Sequence, residues 1–169
     1  MKVFGIDPGT LQLGWGMIEI DDSKKLLRVE HGCLSAPAKM GFISRIGLLG
    51  EGIQALMQQF EPDVAVIEKI FLGKNVDSAF KLGHIRGICA VECQKQGAQV
   101  VEYSARTVKK QITGSGSAEK FLVRNLLYRQ LNIKVTEDKG LDASDALALA
   151  FCHILQDSVS HKLKNMERI

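Results

Sequence analysis

No stretch of the 169-residue chain is apolar for long enough to span a bilayer, so a helical membrane protein is excluded. Nothing resembling a secretory signal precedes the first apolar run, and the expectation is a cytoplasmic protein. Cysteine is sparse and poorly placed for metal binding: Cys33, Cys89, Cys93 and Cys152 include no CxxC pair. With Cys89 and Cys93 one helical turn apart on an apolar face, they read as buried free thiols. His31, His84, His153 and His161 have no ligand-like spacing, which excludes a zinc site. Acids are nearly missing from 104–134, where Glu119 alone faces Arg106, Lys109, Lys110, Lys120, Arg124, Arg129 and Lys134, a net of +6 in a chain of net +3. That separation of sign suits a polyanion held over an acidic site, and equally an ordinary solvated surface.

What is present fits one globular domain: 46% hydrophobic and 24% charged residues supply a core and a soluble surface. Residues 3–10, Val-Phe-Gly-Ile-Asp-Pro-Gly-Thr, read as a buried strand stopped by Pro8 and Gly9. Pro8 holds Asp7 extended at the strand's last position. Asp7 is then either a turn cap or a carboxylate at the sheet edge where α/β folds place their chemistry. Residues 14–20 return as a second, antiparallel strand. Gly14 and Gly16 share one of its faces and leave room for a backbone or a phosphate to approach. Residues 26–35 complete a meander after the polar turn 21–25.

Phe42 opens an amphipathic helix with apolar residues at spacings of three and four up to Phe60, ended by Pro62. Residues 63–68 form a continuous apolar run, the mark of a parallel strand covered on both faces, and it too ends in a carboxylate, Glu68. In the loop 71–75, Phe71 either tucks underneath or stacks on bases, with Lys74 beside it. Asp77 or Ser78 caps a helix to about Gln96. Its small residues Ala79, Gly83, Gly87 and Ala90 call for close packing against the sheet or a second subunit. A strand at 98–103, a basic helix at 105–112 and a flexible turn at 113–117 follow. Ser117 is expected to cap a helix over 118–131, whose first turn carries Lys120 against the helix dipole. The last helix opens at Leu141 with Asp142 and Asp145 on one face. Periodicity fades near Ser158, so 1–157 reads as one domain and 158–169 as a tail.

Asp7, Glu68, Asp142 and Asp145, brought together, would repel one another unless cations neutralise them. Hard divalent ions with oxygen ligands do this, magnesium best of all where substrate phosphates complete the shell. Two such ions about 4 Å apart can activate water and stabilise a leaving oxygen in phosphodiester cleavage.

The segments 5–10, 67–68, Phe71 with 74–78, 116–120 and 142–148 together resemble the RuvC Holliday junction resolvases of the ribonuclease-H-like superfamily. The resemblance implies an α/β fold, a mixed five-stranded sheet of order 3-2-1-4-5 with helices on both faces. It implies a homodimer that makes paired symmetric nicks in four-way DNA junctions, with two Mg2+ or Mn2+ ions per site, alongside a branch-migration helicase complex. By motif match, Asp7, Glu68, Asp142 and Asp145 are the metal-binding catalytic set. Lys120 lies near the scissile phosphate, Phe71 wedges at the junction, and Lys74, Arg106, Lys109 and Lys110 contact DNA. Three other readings share some of these features. An actin-like ATPase domain would need a second phosphate loop, a non-catalytic junction-binding module would not need the acids, and a related nuclease could act on RNA.

Overall fold

A computed structural model describes residues 1–69, 75–134 and 139–166, with side chains described as far as residue 158. The order is β1 (Lys2–Asp7), β2 (Gln12–Ile20), β3 (Leu26–Ser35), α1 (Phe42–Phe60), β4 (Val64–Glu68), α2 (Val76–Lys95), β5 (Gln99–Tyr103), α3 (Ala105–Thr113), α4 (Lys120–Gln130) and α5 (Leu141–Met166). The strands form one sheet in the order β3-β2-β1-β4-β5, as the resemblance implies. β1 pairs antiparallel with β2 and parallel with β4, and β4 pairs parallel with β5.

Strand alternation sorts the core into two layers. Phe4, Ile6, Leu13, Met17 and Ile67 face α1 and α2, where Ile53, Met57 and Ile85 meet them. Val3, Ile18, Val64 and Val66 face the other way, against Leu127 and Leu147 of α4 and α5. Parity therefore also decides the acids: Asp7 follows Val3 and Gly5, and Glu68 follows Val64 and Val66, all on the α5 face.

The glycines of β1 and β2 make room for a backbone, not a phosphate. A Cβ at Gly16 would lie 2.6 Å from Leu147 Cα, and at Gly5 and Gly14 it would overlap the carbonyls of Ala146 and Asp142. α5 thus lies directly on the strands, aided by its buried Ala143, Ala146, Ala148 and Ala150.

Several local expectations change. α2 is capped by Asn75, whose side chain accepts from Ser78 N at 3.1 Å, while Asp77 pairs with Lys81. α4 starts at Lys120 with no side-chain cap, and Ser117 instead shares a hydroxyl contact with Ser115 at 3.0 Å. Glu61, at φ 46°, closes α1 ahead of Pro62 and donates its N–H to Met57 O. α5 continues to Met166, past the fading of its apolar pattern. Cys89, Cys93 and Cys152 are buried free thiols, but Cys33 is partly exposed. Among the described residues no helix is long and apolar enough to cross a membrane.

Candidate functional site

Neighbouring parallel strands in register, Ile6 beside Ile67, bring the next residues, Asp7 and Glu68, to the same edge of the sheet. α5 sets Asp145 against them from above. α4, whose helix begins with Lys120, directs that ammonium to Asp145 Oδ2 at 2.5 Å. The result is a pocket lined by Asp7, Glu68, Asp145, Lys109 and Lys120 on its polar side. Val108, Val123, Ala148 and Leu149 form its apolar wall.

The electrostatics follow from this crowding. Burial, then the charge of Glu68 and Asp145, pushes the Asp7 carboxyl up to about 8, and a hydrogen bond with Glu68 and the charge of Asp142 add to the rise. At neutral pH Asp7 therefore retains a proton. Lys120 is held above its ordinary value, mainly by its hydrogen bond to Asp145. Its ammonium is the local counter-charge to an acidic cluster.

Asp142 stands apart from the other three. It occupies the first turn of α5 with its carbonyl against Gly14, and it influences Asp7 through its charge without lining the pocket. Among the described residues no three His, Cys, Asp or Glu side chains converge closely enough to hold an ion as they stand. The donors nonetheless fit a hard cation: they are all carboxylate oxygens, and burial together with their mutual repulsion already forces a proton onto Asp7.

Of the sequence-predicted residues, Asp7, Glu68, Asp145, Lys120 and Lys109 meet at this pocket, while Arg106 and Lys110 line hollows on another side of α3. Phe71 and Lys74 lie outside the described residues. Tyr103 and His153 carry no site role in the sequence reading, where His153 is only set aside as a zinc ligand and Tyr103 only ends a strand. Tyr103 pairs in register with Glu68, and its hydroxyl lies 3.0 Å from His153 Nδ1. His153 is two turns beyond Asp145 on α5, so this contact ties the strand beside Glu68 to the helix that carries Asp145. The i, i+8 spacing from Asp145 was the only trace of it in the sequence.

The family described as crossover junction endodeoxyribonuclease RuvC matches residues 3–153. A relative of that name from Bdellovibrio bacteriovorus is 41% identical over 156 residues, covering 92% of this chain and 91% of its own. Another, from Hahella chejuensis, is 37% identical over 91% of this chain and 87% of its own. The structure of Thermus thermophilus RuvC in complex with Holliday junction substrate superposes with a TM-score of 0.84 at 26% identity, covering 95% of this chain and 96% of that one. With a matching fold, a family match over residues 3–153 and relatives of this similarity over nearly its whole length, the chain belongs to the RuvC crossover junction endodeoxyribonuclease family.

Proposed function

We propose that the protein resolves four-way DNA junctions by metal-dependent hydrolysis of one phosphodiester in each of two opposed strands. The observation that carries this reading is the placement of Asp7 and Glu68 side by side with Asp145 under two lysines. Asp7, Glu68, Asp145 and Asp142 would hold Mg2+ or Mn2+, two ions per site. When bound, such ions activate water and neutralise the leaving oxygen of the phosphodiester. The chain's own residues do the rest. Lys120 and Lys109 bring positive charge to the scissile phosphate, and Lys120 leaves Asp145 free to bind when it turns to the substrate. Val108 and Val123 line the pocket with apolar surface, which strengthens each charge interaction within it. Residues 1–157 serve as the nuclease domain and 158–169 as a terminal extension.

Paired nicks call for two identical sites related by a two-fold axis. The outward face of α2 supports such a dimer: Phe80 and Val91 are 67% and 47% exposed, and beside them nothing among the described residues lies within 4 Å of a Cβ built at Gly83 or Gly87. Phe71 would wedge at the junction centre with Lys74 on the backbone, and a branch-migration helicase complex is the expected partner.

The test separates binding from chemistry. Asp7→Asn removes a metal-binding charge and also some repulsion of the phosphodiester. It should bind a four-way DNA junction at least as well as wild type without divalent ions, and make no paired nicks with magnesium. Nicking at the wild-type rate would overturn the assignment at its first residue. Cleavage of four-way RNA in preference to DNA would favour the ribonuclease reading.

A further inference from the structure

Tyr103 stands where three elements of the catalytic pocket meet. It is the last residue of β5 and pairs in register with Glu68, and its carbonyl accepts the N–H of Lys69 at 2.8 Å. Immediately after Ser104 begins α3, the helix that brings Lys109 to the pocket. The Tyr103 hydroxyl crosses to α5 and meets His153 Nδ1 at 3.0 Å, with the ring centroids 6.0 Å apart.

The direction of this hydrogen bond follows from its surroundings. Burial above all holds the Tyr103 hydroxyl above its ordinary range, so it keeps its proton and donates. Burial lowers His153 against the opposing charge of Asp157, and Lys24 adds to the fall, so the imidazole is neutral and Nδ1 accepts.

The bond matters because of what it joins. β1 and β2 are fixed to α5 by backbone contact at Gly5, Gly14 and Gly16. Glu68 lies on neither strand but at the end of β4, whereas Asp145 rides on α5 itself. The glycine contact by itself therefore does not set the gap between these two acids. Tyr103 and His153 span it: one is the strand neighbour of Glu68, and the other lies about 12 Å along α5 from Asp145. β4 and β5 cannot move away from α5 without breaking this bond. A second link, between Asp157 of α5 and Lys24 at 2.6 Å, is partly exposed and ties the helix to the turn between β2 and β3, away from Glu68.

We infer that Tyr103 and His153 are positioning residues for the cleavage reaction: their hydrogen bond fixes the gap between Glu68 and Asp145, and with it the affinity of the acids for a divalent ion. The inference rests on the reading of these acids as the metal-binding set and deepens it. Neither side chain lines the pocket, so both act through the carboxylates. Without the bond the ligands are still present but less well placed, and part of the ion's binding free energy goes into drawing them together.

The test is Mn2+ binding without DNA, followed through the electron paramagnetic resonance of the free ion. Tyr103→Phe removes the hydroxyl and keeps the ring, His153→Leu removes the acceptor, and His153→Asn restores an acceptor near the place of Nδ1. Tyr103→Phe and His153→Leu are each expected to weaken Mn2+ binding about fivefold, the worth of one neutral hydrogen bond. Combined, they should weaken it no further than either alone, because both break the same bond. His153→Asn should bind Mn2+ nearly as wild type does. The magnesium concentration for half-maximal junction cleavage should rise by the same factor in the two weakened variants. Their rate at saturating magnesium and their junction affinity in EDTA should stay close to wild type. Lys24→Gln, which loosens α5 at the exposed link, should leave Mn2+ binding as it was. Lower urea midpoints with unaltered Mn2+ affinity would reduce the pair to packing and overturn the inference, as would additive losses in the double variant. A wild type that binds Mn2+, loses affinity on Tyr103→Phe and yet never nicks a junction would instead sink the nuclease reading and leave the role of the pair standing.

Discussion

Glycine does opposite things on the two sides of the sheet. On the α5 side, Gly5, Gly14 and Gly16 are filled by another backbone, so each missing Cβ is space already taken. On the far side, along α2, Gly83 and Gly87 have nothing within 4 Å of an added Cβ among the described residues. The layers between them differ in the same sense. α1 meets the sheet through large interlocking rings, Phe4, Trp15 and Phe60, with centroids 5.5–6.0 Å apart. α5 instead sets its own backbone against β1 and β2 at Gly5, Gly14 and Gly16. Large side chains can repack around a small shift, but two backbones in contact cannot. The stiff contact is the one that carries Asp142 and Asp145, so placement of the acids is tied to the least adjustable packing in the molecule.

Gly16→Ala breaks this comparison most severely. Its methyl would meet Leu147 Cα, which cannot move without α5, so a destabilisation of about 3 kcal/mol is expected in urea unfolding. Junction cleavage should fall with it, because α5 must lift away from β1 and β2 and take Asp145 along. Retention of full cleavage would show that the packing of α5 on the sheet does not position the acids.

The charged side of the molecule should also betray itself through pH. Asp7 has a folded value of about 8 against an ordinary 3.8, so between these limits the folded protein holds a proton that the unfolded chain releases. Metal-free stability should therefore decline as pH rises from about 4 to about 8, by an amount on the order of a few kcal/mol. Asp7→Asn should remove most of that slope, and magnesium should stabilise wild type more at pH 8 than at pH 5. Denaturant midpoints in EDTA and in magnesium at the two pH values provide the measurement. A flat wild-type profile would mean that Asp7 does not hold that proton.

The smallest effect is expected at Gly87, with the opposite sign. Alanine there meets no atom within 4 Å among the described residues and improves helix propensity, so unfolding should become harder by up to about 1 kcal/mol. Sedimentation at low concentration sharpens the contrast: if α2 packs against a second copy, the added methyl should shift Gly87→Ala toward monomer. An unaltered sedimentation profile would remove α2 as the proposed contact between copies.

Much of the fold was legible because its signals are local. Apolar alternation and the Pro8-Gly9 stop mark β1, and the spacing of threes and fours marks α1 from Phe42 to Phe60. Helix starts were less legible. Asn75, Asp77 and Ser78 can all cap, and the choice of Asn75 depends on how the chain arrives from β4. Before α4, Ser117 turns to Ser115, and Ala118, which was to have opened the helix, is buried ahead of it. In the site, Asp7 and Glu68 could be read from apolar runs that end in acids. The division of α3 between Lys109 and the pair Arg106 and Lys110 could not, because a helical pattern says which residues share a face but not what that face meets.

By itself the sequence determined which strands are buried on both sides, which of them end in carboxylates, and where the positive charge lies along the chain. Those properties depend on neighbours a few residues away, through strand alternation, helical period and the stiffness of proline. The tertiary structure alone decided that α5 lies backbone-to-backbone on Gly5, Gly14 and Gly16, that Lys120 pairs with Asp145, and that Asp142 stands apart from the residues lining the pocket. Each of these joins residues far apart in the chain. Their geometry is set by how closely two elements can approach, which no local pattern encodes.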